Sequence, residues 1–591
     1  MNRTRALLAA TLALTLAACG QQTTSGSASI PTTNTDAVAS DAYLVGFKEQ
    51  GSLSAQSMQE QAAMQAQAIT AAGGTMTSQW VDISAAAVRL SPAALAKLQA
   101  NPLVEYVEPD LERHAMGYKS GTTDASTTHA STSKGSMSAQ ALTVAPYTPN
   151  GEFTWGDEAL QVEQLRSAGY TGTGVAVCVG DTGIDANHPE FQKKLKGFKN
   201  FVTTETNRND AYQLNDVSHH GTHVSGTIFA QLGAGTGAPL LQDGMDSNGV
   251  VGVATGVNLY MARVLGNTGS GSSSAIINGV NWCASQLKSQ GGTEDRVVIS
   301  LSLGGGSKSQ TEQRAYTSVW NKGAFIVAAT GNDGAAVSYP AAYNYTVGVG
   351  AIDNTNAKAD FSNFGTQVDL VGPGVNVYSS VPLKQGTRTY AGLGSGSSYV
   401  RFTNPVLSAD KSSKGNVFGN IVVAGDGTGT AGANQFCGTS TRNTALSGNI
   451  ALISRGTCSF EEKVANAVAS GAKAVVIYNN TAGELGMSLT NTYSIPVVGI
   501  YQSDGQAVLN ATSKVGGVEV LDADYESYNG TSMATPHVSA AAAVVWAAKP
   551  TLTNNQLLTL LTSTATDLGT AGKDNNFGYG LVNPLKAITG Q

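Results

Sequence analysis

The chain has 591 residues, more than one ordinary domain holds, which suggests about two to four domains. Only 13% of its residues are charged and the formal net charge is −7, so the chain lacks the basic surface that nucleic-acid binding requires. The remaining polarity comes largely from Gly, Ser, Thr and Asn, a composition that suits an exported protein.

The N-terminus has the features of an export signal. Two arginines precede an apolar run that is too short for an ordinary membrane span and ends in small residues. Residues 16–19, Leu-Ala-Ala-Cys, resemble the bacterial lipobox, and a Ser/Thr/Gly-rich tether follows over 20–40. We predict a lipoprotein-type signal peptide over 1–19 that carries lipid on Cys19. The alternative is an ordinary signal peptide in which this cysteine is incidental.

Four further cysteines lie in the rest of the chain. None forms a C-x-x-C pair, which argues against a Cys-type zinc site. Cys437 and Cys458 lie 21 residues apart, and both a local disulfide and free thiols fit that spacing. Cys178 and Cys283 lie in apolar runs, where buried free thiols fit equally well.

Residues 41–113 have the pattern of a small α+β domain. Their predicted elements follow the order β-α-β-β-α-β, that of a ferredoxin-like fold. A Ser/Thr/Gly/Ala-rich stretch then runs from Gly117 to about Leu142. Because this composition buries little apolar surface, we predict a low-complexity linker over 117–145.

From about Thr154 apolar runs alternate with helical segments. Five runs are continuously hydrophobic: GVAVCVG, NLYMARVL, RVVISLSL, AFIVAAT and YTVGVGAI. Such runs predict an α/β fold with a mainly parallel sheet flanked by helices, whose sites form at the carboxyl ends of the strands. The segment 384–522 has its own strands and helix, so we predict a smaller domain inserted into a loop.

Three short motifs carry residues suited to nucleophilic catalysis. Asp181 directly follows a buried strand, and His220 opens the run HGTHVSGTI. Ser532 lies at the start of an Ala/Val-rich helix, with Pro536 expected in its first turn. A serine needs an imidazole to take its proton, and the imidazole needs a carboxylate to fix its tautomer.

The motifs DTGID, HGTHVSGT and NGTSMATPHV resemble the three signatures of the subtilisin-like serine proteases, in the same chain order. The resemblance implies that Ser532 attacks the substrate carbonyl, that His220 acts as general base and then acid, and that Asp181 orients His220. Asn332, at the end of VAATGN, would bind the oxyanion together with the Ser532 amide. The implied substrate-binding residues are Leu265, Gly266, Gly269, Ser302, Leu303 and Gly304.

The resemblance extends to the other segments. It implies an inhibitory propeptide over 41–116 with self-cleavage near Met116 and Gly117, and a catalytic domain over 146–383 and 523–591. Because the linker is long, a mature N-terminus anywhere up to about Val144 is the alternative. The insert resembles the protease-associated domain of some family members. Glu190 and Asp246 fall near calcium-ligand positions of the family, so structural calcium is expected; solvated surface carboxylates are the alternative.

His219 and His223 are four residues apart, a spacing that also suits zinc on a helix. The glutamate of a zinc-protease H-E-x-x-H motif is missing, however. We therefore expect packing roles for His223 and His537 and a place on the cleft rim for His219.

The leading hypothesis is an exported, monomeric serine endopeptidase made as a self-processed zymogen. It would act on proteins or peptides without a cofactor, in the cell envelope or outside the cell. Only the precursor would touch the membrane, through its lipid, and cleavage would release the mature form. The competing hypothesis is a catalytically silent, surface-binding lipoprotein.

Overall fold

The structure is a computed structural model that describes residues 41–48, 55–119, 147, 151–235, 249–409, 411–425, 435–438, 441–483 and 485–591. The predicted lipid site Cys19, the tether 20–40, most of the linker and Asp246 lie outside the described residues. Within the described ranges, no helix combines the length and the apolar character that a membrane span needs.

The N-terminal unit is a four-stranded antiparallel sheet with two helices. Its elements are β1 Ala42–Phe47, α1 Ala55–Ala72, β2 Thr75–Trp80, β3 Ala85–Arg89, α2 Pro92–Gln99 and β4 Val104–Pro109. The strands lie in the order β2-β3-β1-β4, with every pair antiparallel. This confirms the predicted β-α-β-β-α-β order. Two short strands follow it, β5 Glu112–Ala115 and β6 Tyr118–Lys119.

The next segment supplies most of the α/β domain. Its elements are α3 Trp155–Ala159, α4 Val162–Ser167, β7 Ala176–Asp181, β8 Gly197–Asn200, α5 His220–Phe229, β9 Asn258–Arg263, β10 Ser270–Ser272, α6 Ser273–Ala284, β11 Val297–Leu301, β12 Leu303–Gly304, α7 Gln310–Asn321, β13 Phe325–Ala329, β14 Val347–Ile352, β15 Leu370–Pro373 and β16 Val377–Ser380.

The insert contains eight strands and two helices among its described residues. They are β17 Gly386–Leu393, β18 Val400–Arg401, β19 Leu407–Ser408, β20 Gly415–Val423, β21 Ile450–Ser454, α8 Phe460–Ala469, β22 Ala474–Tyr478, β23 Val497–Ile500, α9 Gln502–Asn510 and β24 Val515–Ala523. They form one sheet, ordered β18-β17-β24-β20-β21-β22-β23-β19. β17 and β24 pair from Gly386 and Ala523 onward, so the chain enters and leaves the insert through one antiparallel strand pair.

The chain then returns to the α/β domain with β25 Tyr525–Asn529, α10 Thr531–Ala548, α11 Asn554–Thr564 and α12 Pro584–Thr589. The central sheet has the order β15-β14-β13-β11-β7-β9-β8, and all its strands are parallel. Every residue of β7, β11, β13 and β14 is buried, which requires cover on both faces. One helix pair, α5 and α10, and another, α6 and α7, provide that cover and confirm the predicted α/β class.

The four remaining cysteines form two disulfides. Cys437 and Cys458 are joined within the insert, one of the two outcomes left open by the sequence. Cys178 of β7 and Cys283 of α6 are also joined, with a Cα–Cα distance of 5.7 Å. They are therefore not free thiols, and their bond links the central sheet to a covering helix.

The N-terminal unit is docked on the α6 and α7 layer. Its β4 strand presents Glu108 to the start of α7, where the amides of Gln310 and Thr311 each donate to its carboxylate at 2.9 Å. Asp110 accepts from the amide and hydroxyl of Ser274 at the start of α6, at 2.9 and 2.6 Å. Carboxylates stabilise helix N-termini, so these bonds hold β4 on α6 and α7. The chain after β4 continues as β5 into the cleft between β10 and β12.

Candidate active site

The three predicted catalytic side chains lie at the carboxyl end of one strand and the amino ends of two helices. Asp181 is the last residue of β7, His220 the first of α5 and Ser532 the second of α10. Asp181 Oδ1 and Oδ2 lie 2.8 and 3.0 Å from His220 Nδ1. His220 is 2% exposed, and its Nε2 has no hydrogen-bond partner among the described residues. The imidazole is thus held by Asp181 with its second nitrogen available.

The hydroxyl of Ser532 is hydrogen-bonded to a different residue. Ser532 Oγ donates to the Ser302 carbonyl at 2.9 Å, and Ser302 Oγ donates to the Ser532 carbonyl at 2.8 Å. Pro536 explains the second bond. It is the sixth residue of α10, so the expectation of a first-turn proline was wrong. Proline has no N–H for the carbonyl four residues earlier, and Ser302 supplies the missing donor.

The tail of the N-terminal unit lies in the cleft as a strand. β5 is the middle strand of an antiparallel sheet, between β10 and β12. The Ala115 amide donates to the Gly269 carbonyl at 2.8 Å, and the Met116 amide donates to the Ser302 carbonyl at 3.2 Å. Leu303 pairs with Ala115 in the same sheet. This is strand addition, the way in which cleft strands bind an extended peptide.

The carbonyl oxygen of Met116 lies between two donors. Asn332 Nδ2 is 2.8 Å from it and the Ser532 amide nitrogen is 3.1 Å from it. Asn332 Oδ1 accepts from the amide and the hydroxyl of Thr531, both at 2.9 Å, and these bonds fix the orientation of its side chain. The predicted oxyanion donors therefore converge on one carbonyl.

The residue after that carbonyl is Gly117, whose Cα lies against His220. A Cβ added there would come within 2.9 Å of His220 Nε2, so glycine allows a close approach. The chain continues as β6, which pairs antiparallel with β25. The peptide bond between Met116 and Gly117 thus lies beside the serine, the imidazole and both oxyanion donors.

Two predicted substrate-binding residues do not pair with the tail. The Leu265 amide donates to the Asp181 carbonyl at 3.1 Å, and the Gly266 amide donates to the Ser270 carbonyl at 2.7 Å. The pairing strand is β10 instead, a few residues further along the chain. Sequence reasoning missed it because the polar run SGSS lacks the alternating pattern of a strand. Gly304, by contrast, pairs with His114 as expected for a cleft strand.

The other histidines in these motifs are structural. His223 Nε2 lies 3.0 Å from the Val377 carbonyl, and its ring stacks on Tyr528 at 4.3 Å between centroids. Burial lowers the pKa of His223 to about 3 and that of His537 to about 4. Because His223 Nε2 donates to carbonyls, it does not fit the zinc alternative. His219 is half-buried at the N-cap of α5.

Asp216 supports the His220 helix and was not predicted. Its Oδ2 accepts from the amide and hydroxyl of Thr222 at 2.7 and 2.6 Å, and its Oδ1 accepts from the Thr182 hydroxyl at 2.8 Å. Burial raises its pKa. Asp216 thus caps the start of α5 from outside the helix and ties it to the residue after Asp181.

Glu190 is buried rather than solvated. Its Oε1 accepts from the Tyr525 hydroxyl at 2.8 Å and the Val250 amide at 3.1 Å, whereas its Oε2 has no hydrogen-bond partner among the described residues. Burial raises the pKa of Glu190 to about 8. In the described part of the chain, no three acidic, His or Cys side chains cluster in a way that could hold a metal ion.

Three family profiles match the chain. The subtilase family matches residues 172–453 and 486–580, more than half of the chain. The PA domain matches 417–508, inside the predicted insert, and the fervidolysin N-terminal prodomain matches 30–110.

Curated relatives agree with these profiles. Subtilisin NAT of Bacillus subtilis subsp. natto is 34% identical over 345 residues, covering 58% of this chain and 73% of the relative. Subtilisin Savinase of Lederbergia lenta is 40% identical over 240 residues, covering 40% of this chain and 77% of the relative.

Two solved structures share the fold. The psychrophilic subtilisin-like protease Apa1 of Pseudoalteromonas sp. AS-11 aligns with a TM-score of 0.52 and 28% identity, over 74% of this chain and 98% of that one. Fervidolysin of Fervidobacterium pennivorans aligns with a TM-score of 0.53 and 19% identity, over 94% of this chain and 61% of that one.

Proposed function

Because the chain belongs to the subtilase family and is a serine endopeptidase with a prodomain, we propose that Asp181, His220 and Ser532 form its catalytic triad. The observation that carries this proposal is the position of the Met116 carbonyl, 2.8 Å from Asn332 Nδ2 and 3.1 Å from the Ser532 amide. The alternative of a catalytically silent binding lipoprotein finds no support among these relatives.

In the proposed mechanism, the Ser532 hydroxyl leaves the Ser302 carbonyl and turns to His220 Nε2, which takes its proton as Oγ attacks the substrate carbonyl. Asp181 holds the Nδ1–H tautomer and stabilises the imidazolium. Asn332 and the Ser532 amide bind the oxyanion, where one donor contributes about 10²–10³ in rate. His220 then protonates the leaving amine, and water releases the acyl group by the same steps.

We propose that the chain is a zymogen whose first substrate is its own bond between Met116 and Gly117. The strand pairing of β5 and β6 supports this, because it threads the bond through the site and blocks other substrates. The Met116 side chain lies against Gly304, where an added Cβ would be 2.4 Å from Met116 Cε. Flexible apolar side chains are therefore the proposed preference before the cleaved bond.

We propose that the propeptide spans 41–116, the catalytic domain 146–383 and 523–591, and the inserted domain 384–522. Export is supported by the N-terminal pattern of the sequence and by the prodomain. If lipid is attached to Cys19, it precedes Met116 in the chain. Cleavage there would free a monomeric mature enzyme from the membrane.

A structural calcium site at Glu190 is also proposed. Its buried Oε2 has no hydrogen-bond partner among the described residues, and burial disfavours the ionised form of this carboxyl. Calcium prefers hard oxygen ligands and would stabilise that ionised form. At 100 times the dissociation constant, calcium would stabilise the fold by about 2.7 kcal/mol, or a few degrees in Tm.

Calorimetry of the Ser532→Ala precursor with calcium and with a chelator tests this site. We expect the Tm difference to disappear in Glu190→Gln and to persist in the exposed control Glu163→Gln. If the Ser532→Ala precursor with Glu190 intact has the same Tm in calcium and in chelator, the proposal is contradicted.

A serine-directed fluorophosphonate probe tests the function itself. The mature protein should be labelled at Ser532 and should hydrolyse protein substrates even after brief treatment with a chelator. The intact mass of the labelled chain should show that no lipid is attached to it. Rapid loss of hydrolysis in chelator without serine labelling would favour the zinc alternative instead.

A further inference from the structure

Counting back from the bond between Met116 and Gly117, the fourth residue of the tail is a buried arginine, Arg113. This position is called P4. Arg113 is 0% exposed although it is a charged residue in a surface cleft. Its Nε lies 3.1 Å from Glu312 Oε1, and its Nη2 lies 2.8 Å from Glu312 Oε2. The same Nη2 donates to the Ser307 carbonyl at 2.8 Å. The guanidinium is thus recognised by a bidentate carboxylate and a third acceptor.

The pocket that holds this arginine belongs to the α/β domain. Glu312 lies in the first turn of α7 and is 1% exposed. Its carboxylate also accepts from the Tyr343 hydroxyl at 2.9 Å and from the Ser273 hydroxyl of α6. These bonds do not involve the tail, so they keep Glu312 oriented toward the cleft when the tail leaves.

Departure of the prodomain removes the cation from this carboxylate. Without the tail the carboxylate lacks its cation, and a substrate that brings a positive group of the right shape restores the charge-assisted hydrogen bonds that Arg113 makes. The planar guanidinium of arginine can donate to both carboxylate oxygens and to the Ser307 carbonyl at once. The ammonium of lysine is a point charge and lacks this planar set of donors.

We propose that Glu312 makes the mature enzyme select arginine at P4 of its protein substrates. The inference rests on the proposed proteolytic function and adds a specificity to the same cleft. Glu312 would then recognise arginine both during self-processing, where the tail supplies Arg113, and in the protein substrates of the mature enzyme.

The test compares hydrolysis of two peptides by the mature enzyme. Both span the tail sequence ERHAMGYK, and the second has leucine in place of the arginine. We expect kcat/KM to be at least about tenfold higher for the arginine peptide, with a lysine peptide in between. In Glu312→Gln this ratio should fall toward one, while the exposed control Glu163→Gln should keep it.

A double variant covers the case in which Glu312→Gln fails to mature. Replacing a buried ion pair by apolar residues is often tolerated, so Arg113→Leu with Glu312→Met should still process itself. Its mature form should prefer the leucine peptide.

The outcomes distinguish a failure of the P4 inference from a failure of the proposed function. Equal kcat/KM for the arginine and leucine peptides would overturn the P4 inference alone, because the ion pair would then serve only prodomain docking. Hydrolysis of neither peptide would overturn the proposed function, and the P4 inference with it.

Discussion

The Ser532→Ala variant is expected to accumulate as an uncleaved precursor with no detectable proteolysis. Removing the nucleophile of a triad lowers kcat by about 10⁶, so even the intramolecular cut, which has its bond already in place, should stop. Intact mass measured over days of incubation should show one species that still contains the prodomain.

The matched control is Ser563→Ala, at an exposed position of α11. It should process itself and hydrolyse substrate like the unmodified chain. Processing of Ser532→Ala in a preparation free of other proteases would contradict the proposed nucleophile.

The Asp181→Asn variant should lose about 10⁴ in kcat with little change in KM. Both Asp181 oxygens lie within 3.0 Å of His220 Nδ1, and an amide there would stabilise the wrong tautomer of the imidazole. Substrate pairing with β10 and β12 does not involve this carboxylate, so substrate binding should survive. Single-turnover and steady-state kinetics on a peptide substrate measure the two effects separately.

The control for this change is Asp295→Asn, which removes an exposed carboxylate far along the chain from the motif. It should leave kcat unchanged. An Asp181→Asn enzyme with normal kcat would show that His220 does not depend on Asp181.

Local patterns in the sequence predicted the architecture well. Continuous apolar runs predicted strands that are buried on both faces, and β7 and β14 are such strands. The change of sequence pattern near 384 predicted an inserted domain, and the PA domain profile matches 417–508 within that segment. Asp181, His220 and Ser532 were predicted because their three motifs occur together and in the chain order of the family, although each motif alone has an ordinary structural explanation as a turn or a cap.

Contacts between distant residues could not be predicted in this way. Cys178 and Cys283 are separated by 105 positions, and only the packing of α6 on the sheet brings them together. Arg113 and Glu312 are ordinary charged residues until β4 docks on α7 and directs the tail into the cleft. The strand β10 could not be predicted because its polar residues lack the alternating apolar pattern of a strand. The hydrogen bond from Ser302 to the Ser532 carbonyl depends on Pro536, which lies four positions after Ser532.

The most direct test of the proposed self-processing is the identity of the first bond that the unmodified precursor cleaves. Early time points of self-processing should be analysed by N-terminal sequencing together with the intact masses of both fragments. We expect a prodomain that ends at Met116 and a catalytic chain that begins at Gly117. A first cut at any other bond would contradict this expectation, because the bond held between Asn332, Ser532 and His220 would then not be the one that reacts.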